Sequence, residues 1–450
     1  MNSPDSKLNR RLGLFPVTNI VIANIIGAGI FTTTGFIMDF LGNPQLMLLL
    51  WLVGGIIAFC GALSFGELGA SFPEAGGEYL FISKLFHPLL GFLSGWLSLI
   101  VGFSAPIAAS AIGFSKYFVW AFPDLQNWLN LSATFSPDIF SKLLAVLVIV
   151  GFSLLHARGL VLGTKVQNGL TLLKVILVAG LVLAGFTIGE GTIQNLVVEK
   201  SFRFNFEGWK SIGLSLMFIL FAFSGWNSAT YIGSEIKNPG RVIPRSLLIS
   251  TGIVTVLYLL LNLFFVYAIP PAQMVGEPEI GGLAAGNAFG EVAETVLSLL
   301  ISFALFSSLS AFIILGPRVY YSMAKDGYFF KSIAKVHQGF NVPQNAIFLQ
   351  STIAILIVLT GTFDQILAYM GFSLGIFPIL AVFGVFKLRK EGKSKLKLPG
   401  YPVAPAVFII TNIGILTLAY FERPWESTIA ILTALSGIPV FYWFKKKNRL

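Results

Sequence analysis

The sequence predicts an all-α polytopic membrane protein of twelve spanning helices, built as two inverted halves with two helices appended. Three observations carry that prediction. The 450 residues are 55% hydrophobic and 11% charged, whereas soluble chains carry about 25% charged residues. Twelve apolar runs are long enough to cross a hydrocarbon core of about 30 Å. The first and sixth of these runs are each broken midway by glycine, in I-I-G-A-G-I-F (Ile25 to Phe31) and F-A-F-S-G-W-N (Phe221 to Asn227).

The runs fall at 14–36, 45–71, 88–121, 141–157, 162–187, 206–234, 243–269, 289–323, 344–360, 363–386, 402–420 and 426–444. The stretch Asn2 to Arg11 is polar and Leu12 leads directly into a full-length span, so no cleavable signal peptide is expected. Twelve spans place both termini on one side. With that side taken as the cytoplasm, about three quarters of the 30 Lys and Arg fall on it. They include Lys7, Arg10, Arg11, the cluster Lys387 to Lys397 and the tail Lys445 to Arg449. The net charge of +10 is therefore a topology signal and not a nucleic-acid footprint, with anionic lipid headgroups as the contact open to it. The localisation that follows is a multi-pass plasma-membrane protein with cytoplasmic termini.

The breaks lie five spans apart. Five is odd, so the second half enters the membrane from the opposite side. The expected organisation is a cytoplasmic tail at 1–13, a first repeat at 14–187, a second repeat at 204–390, two further helices within 400–444 and a tail at 445–450. The single cysteine, Cys60, lies in an apolar stretch and has a packing role; it forms no intramolecular disulfide or thiol metal cluster. No metal or cofactor is expected.

Irregular backbone at membrane depth is tolerated where it lines a cavity, and paired broken helices point to a transport site. Glycine that merely lets neighbouring helices approach is the plainer alternative. A broken helix exposes free N–H groups at the start of its second half and free carbonyls at the end of its first. The N–H end suits an anion, and the carbonyl end suits a cation or an ammonium donor. Ala28 and Gly29 can hold a carboxylate, and carbonyls from Phe221 through Ala222 to Ser224 can hold an ammonium. Two facing breaks bind a zwitterion with almost no charged side chain.

The chain resembles the amino acid–polyamine–organocation transporters, in particular their L-amino-acid-transporter branch. The resemblance covers nearly the whole chain. GAGIF is followed by GELGASFPEAGGEY (Gly66 to Tyr79), GFLSGW (Gly91 to Trp96), FAFSGWN, SEIKNPGRVIPRS (Ser234 to Ser246) and GPRVYYSMAKDG (Gly316 to Gly327). Each motif is weak alone; their order and spacing together are specific. The resemblance implies the LeuT-like fold, a 5+5 inverted repeat with helices 1 and 6 discontinuous. It implies that Gly27, Ala28 and Gly29 form the carboxylate-binding break, in which the family's usual serine is replaced by Ala28. It also implies that carbonyls at Ile25, Phe221 and Ser224 take the amine, that Phe221 closes over the substrate, and that Trp226 and Asn227 shape the pocket or simply pack.

Lys174 lies about 16 Å into the fifth span at 1.5 Å per residue, too deep to reach water easily. An ionisable residue at that depth is a functional hypothesis by default. The resemblance places such a lysine against the first break, where sodium-coupled relatives hold an ion. It couples protons there, fixes spans 1, 5 and 8 together, or only satisfies broken-helix carbonyls. Ser307, Ser308 and Ser310 in span 8 either ligate sodium or pack between helices. Glu67, Glu235 and Arg318 sit at cytoplasmic span ends, where gate or loop pairs are expected. His87, His156 and His337 lie near the same face, so no buried histidine relay is expected. No Asp or Glu lies deep in a span, which favours neutral substrates because buried unpaired charge is expensive.

The function expected is secondary active transport of neutral L-amino acids, by sodium-independent exchange or proton symport with alternating access; the alternative is a cationic amino acid or polyamine antiporter. An intramembrane enzyme is not expected: the chain has no H-E-x-x-H, no Walker lysine motif and no nucleophile with a buried histidine partner. A nutrient sensor would need a long soluble extension, and both tails are short. Animal relatives of the resembled branch pair with a heavy chain through a cysteine in the third external loop. The corresponding loop here, 122–140, has none, so no disulfide-linked partner is expected. It does carry the N-L-S triplet at Asn130.

Overall fold

The computed structural model describes residues 8–131, 134–197, 202–277, 279–360 and 363–448. Lys7, Ser132 of the N-L-S triplet and Arg449 lie outside them. Helices dominate and no named strand occurs among the described residues; the two isolated β-bridges join Leu12 to Ile236 and Ala75 to Ile232.

The first span is two helices, α1 (Leu14–Ile25) and α2 (Ala28–Leu41). Then come α3 (Pro44–Ser71), the short α4 (Glu78–Leu85), α5 (Pro88–Ala121), α6 (Pro137–Ala157), α7 (Leu160–Thr187) and α8 (Phe206–Ala222). The remainder is α9 (Pro239–Ala268), α10 (Ile280–Phe289), α11 (Glu291–Lys325), α12 (Gln344–Thr360), α13 (Phe363–Lys390), α14 (Val403–Glu422) and α15 (Pro424–Lys447).

Local chemistry sets the helix starts. Asn43, His87, Ser136 and Asn205 each accept a bond from a first-turn N–H, and in the first three a proline opens the helix. Gly42 ends α2 in the left-handed conformation at φ 57°. Ser98–Ser104 within α5 forms a π-helical stretch, a device frequent at functional sites.

Ten helices among the described residues are long and apolar enough to cross a membrane. The sixth and ninth expected spans differ. They are the 17-residue helices α8 and α12, shorter than a straight span requires. The sixth does not resume as a helix after its break. Ser228–Tyr231 and Gly233–Glu235 are 3-10 turns, and Asn238 is left-handed before α9 begins. Closely spaced Ser224, Ser228, Thr230 and Ser234 explain this, since short polar side chains compete with the helical ladder; Thr230 Oγ1 donates to the Asn227 carbonyl at 2.7 Å.

The interior packs α3 against α9 and the second half of α5 against α11, with α1 between α9 and α7. Segments on the N-terminal face are tied by charge. Arg318 clasps Glu235 through two bonds of 2.8 and 2.9 Å, both side chains buried. The Glu235 carbonyl accepts from the N–H groups of Arg11 and Leu12. Arg389 of α13 clasps Glu67 of α3 at 2.6 and 2.7 Å and stacks over Tyr401.

Candidate functional site

The first break is two residues long. Ile26 (ψ 89°) and Gly27 (φ −116°, ψ −158°) leave the helical region between α1 and α2. Carbonyls at the end of α1 face donors from three neighbouring helices. Lys174 of α7 donates to Ile26 O and Ala23 O, and to Ser308 Oγ at 2.7 Å. Ser308 of α11 donates in turn to Ile26 O at 2.7 Å. Tyr258 of α9 bonds Ile25 O at 2.8 Å and Ala222 O, at the end of α8, at 3.0 Å. At the other end, Gly27 provides no side-chain cap for the first N–H groups of α2.

The two breaks touch. A methyl group on Gly29 would lie 2.8 Å from Ala222 Cα and 3.3 Å from the Phe221 ring, so only glycine permits this approach. Gly225 is equally constrained. Its φ is +104°, and any side chain there would run into Asn24 Oδ1. Phe221 O accepts from Ser224 N at 2.9 Å, closing a turn.

Beside this contact lies a cavity whose walls come from seven helices and the unwound stretch. Asn24 of α1, Glu78 of α4, Ser94, Ser98, Val101 and Phe103 of α5, and Met217 and Phe221 of α8 line it. So do Ser224, Trp226, Asn227 and Tyr231, together with Phe312, Ser373, Phe377, Phe408 and Asn412. The π-helical stretch of α5 thus faces the cavity. Apolar walls carrying a few placed polar groups are what a small-molecule site requires. Trp226 is wedged edge-on between the Phe65 and Phe408 rings.

Of the residues singled out in the sequence, Phe221, Ser224, Trp226 and Asn227 line the cavity. Ile25, Gly27, Ala28, Gly29 and Ala222 are not among its walls; they lie in the adjoining contact between the breaks. Lys174 is buried behind α1. The three serines of α11 bond side chains of α7 and α6: Ser307 bonds Gln167 and Thr171, Ser308 bonds Lys174, and Ser310 bonds His156.

A family model of amino acid permeases matches residues 12–439. The chain belongs to the amino acid permease family. It is a multi-pass membrane protein of the amino acid–polyamine–organocation superfamily. Across its full length the permease is 28% identical to the full-length serine/threonine exchanger SteT of Bacillus subtilis (strain 168). It is 27% identical to the b(0,+)-type amino acid transporter 1 of Mus musculus, over 98% of this chain and 88% of that one. It is 24% identical to the human cystine/glutamate transporter, over 97% of this chain and 86% of that one.

Packing adds two things to the sequence reading of this permease. His156, in the last turn of α6, is buried, and its Nε2 lies 2.8 Å from Ser310 Oγ. A carboxylate from outside the spans also reaches the cavity. Glu78 lies outside every apolar run, yet α4 tucks beneath the bundle and brings it to the cavity wall, 7% exposed. Its Oε1 accepts from Asn227 Nδ2 at 2.6 Å and Tyr231 OH at 3.1 Å. Burial pushes its pKa up to about 7, partly offset by the bonds it accepts from Tyr231 and Asn227. The sequence signal for it was weak: one acid at the start of a short amphipathic segment. Asn24, Tyr258 and Asn412, polar groups inside apolar runs, were the more readable residues that went unremarked.

Proposed function

We propose that this permease is a secondary active transporter of neutral L-amino acids, working without sodium by exchange or proton symport. The supporting observation is the contact of two broken segments, Gly29 against Ala222, beside an apolar cavity with few polar groups. In this reading the N–H groups of Ala28 and Gly29 receive the substrate carboxylate. Carbonyls of Ile25, Phe221 and Ser224 receive its ammonium, displacing Tyr258 and the Ser224 turn. Gly27 opens the first break beside Ser308, Gly29 and Ala222 keep the two ends close, Phe221 closes over the substrate, and Trp226 and Asn227 form the wall at its side chain.

Lys174 takes the place of a bound sodium ion. Its three donors meet three acceptors on α1 and α11, which is the full capacity of an ammonium. Alternating access then moves one bundle against the other around these contacts. The reading includes twelve spans in a LeuT-like 5+5 inverted repeat, cytoplasmic termini, a plasma-membrane location and no disulfide-linked heavy chain. Cys60 lies in α3, remote in sequence from the 122–140 loop.

Glu78 favours a second reading, cationic amino acid or polyamine antiport, because it gives the cavity a carboxylate. The exchange named for the Bacillus subtilis relative and the amino acid transport named for the mouse relative fit the broader class. Purified protein in liposomes decides the matter with labelled serine, leucine, arginine and putrescine, tested with and without internal substrate and with sodium replaced. Uptake of serine or leucine that needs internal amino acid supports neutral exchange. Uptake confined to arginine or putrescine establishes the second reading, and strict sodium dependence overturns both.

A further inference from the structure

The geometry points to Glu78 as the proton-responsive positioning residue of the transport cycle: with a proton bound, it holds the unwound stretch after α8 closed against α4, and loss of that proton opens the stretch to water. This rests on the transport reading above and adds to it the group through which protons act.

The carboxyl joins two elements. It stands at the first residue of α4 and bonds Asn227 and Tyr231, which flank the 3-10 turn of the unwound stretch. Both bonds fall on Oε1, which leaves Oε2 to carry a proton. Among the described residues no cation pairs with the carboxyl. On its own helix, Tyr79 bonds Asp326 and Lys84 pairs with Glu74. From α13, Lys387 bonds the Leu85 carbonyl and Arg389 pairs with Glu67. From α11, Arg318 is taken by Glu235, and Tyr320 lies beyond Tyr231. From α5, the facing group is Ser94, which carries no charge.

A buried carboxylate without a counter-ion is costly, and a protonated one is not. The closed arrangement therefore binds the proton more tightly than a hydrated glutamate does, with a pKa of about 7 in place of 4.5. The sign follows by linkage. The contribution to closure is fully present below about 4.5 and is lost as pH rises through about 7. Deprotonation leaves a charge that Asn227 and Tyr231 answer on Oε1 alone, and hydrating Oε2 requires the stretch to part from α4.

The test compares wild type, Glu78→Gln and Glu78→Asp in liposomes preloaded with unlabelled substrate, at equal pH on both sides, across about pH 5 to 9. Wild-type exchange should rise about tenfold through the transition. Glu78→Gln, fixed in the neutral form, should stay slow and flat within about twofold, and Glu78→Asp should restore a pH step. Infrared difference spectra of the same samples should show a protonated-carboxyl band that disappears on alkalinisation and is missing in Glu78→Gln. A wild-type pH step in Glu78→Gln overturns the inference, as does an unchanged carboxyl band. If wild type moves no amino acid at all, the transport reading fails, while the infrared band still decides whether Glu78 titrates.

Discussion

The two breaks solve one problem in opposite ways. In the first, two residues depart from helix, and the carbonyls of Ala23, Ile25 and Ile26 face donors from α7, α9 and α11. In the second, irregular backbone runs from 223 to 238 and is held by its own short turns, with the Glu78 carboxyl gripping it at Asn227 and the Arg318 guanidinium at Glu235. A 3-10 turn has poorer hydrogen-bond geometry than an α-helix, so the second break is the cheaper one to rearrange. The difference assigns the first break to anchoring and the second to movement.

Substitutions can break or sharpen that contrast. Glu235→Gln should have the largest effect. It strands the Arg318 guanidinium in the interior at a cost of about 3–5 kcal/mol, read as a drop in detergent thermal stability. Adding Arg318→Met should recover most of the loss; a double variant no better than the single would show that the pair does not fasten the second break. Lys174→Ala removes three bonds from the first break and should lower uptake about a hundredfold, equivalent to ~2.7 kcal/mol. Wild-type rates and pH profile in liposomes would deny it both anchoring and coupling.

Gly225→Ala forces a side chain into a left-handed position against Asn24, costing about 2 kcal/mol. Asn24→Ala should relieve only part of this, because the backbone penalty remains; full recovery in melting temperature would contradict the strain argument. Tyr258→Phe removes the hydroxyl between the breaks and should cost about 1 kcal/mol. Substrate affinity is the sharper readout, since vacated carbonyls compete better for an ammonium. Ala28→Ser should matter least, changing affinity by about twofold at most if the backbone N–H groups do the binding.

Much of this was legible because glycine and buried charge are loud signals. The breaks fall at Gly27 and Gly225, and the depth of Lys174 follows from helix rise alone. The three serines of α11 left two readings open in the sequence, and their partners are now protein groups on neighbouring elements. Other features are tertiary and had no local mark. Glu78 looks solvent-exposed until α4 folds under the bundle. His156 lies near a helix end, and only packing against α11 buries it. The π-helical stretch at Ser98–Ser104 holds Gly102 and precedes Pro106, but neither residue specifies a π-turn over a plain kink, and the apolar run 206–234 gave no measure of how far helix would persist beyond Ala222.

The Tyr258 hydroxyl faces Ile25 O and Ala222 O but owns a single proton. Only one carbonyl can receive it at a time, so the pair is always one donor short. In the proposed binding mode, an ammonium arriving at either carbonyl would make up the deficit and commit the phenol to the other. Occupancy on one segment is thereby reported to its counterpart by the position of one hydrogen atom, and the sum comes out even only when the site is filled.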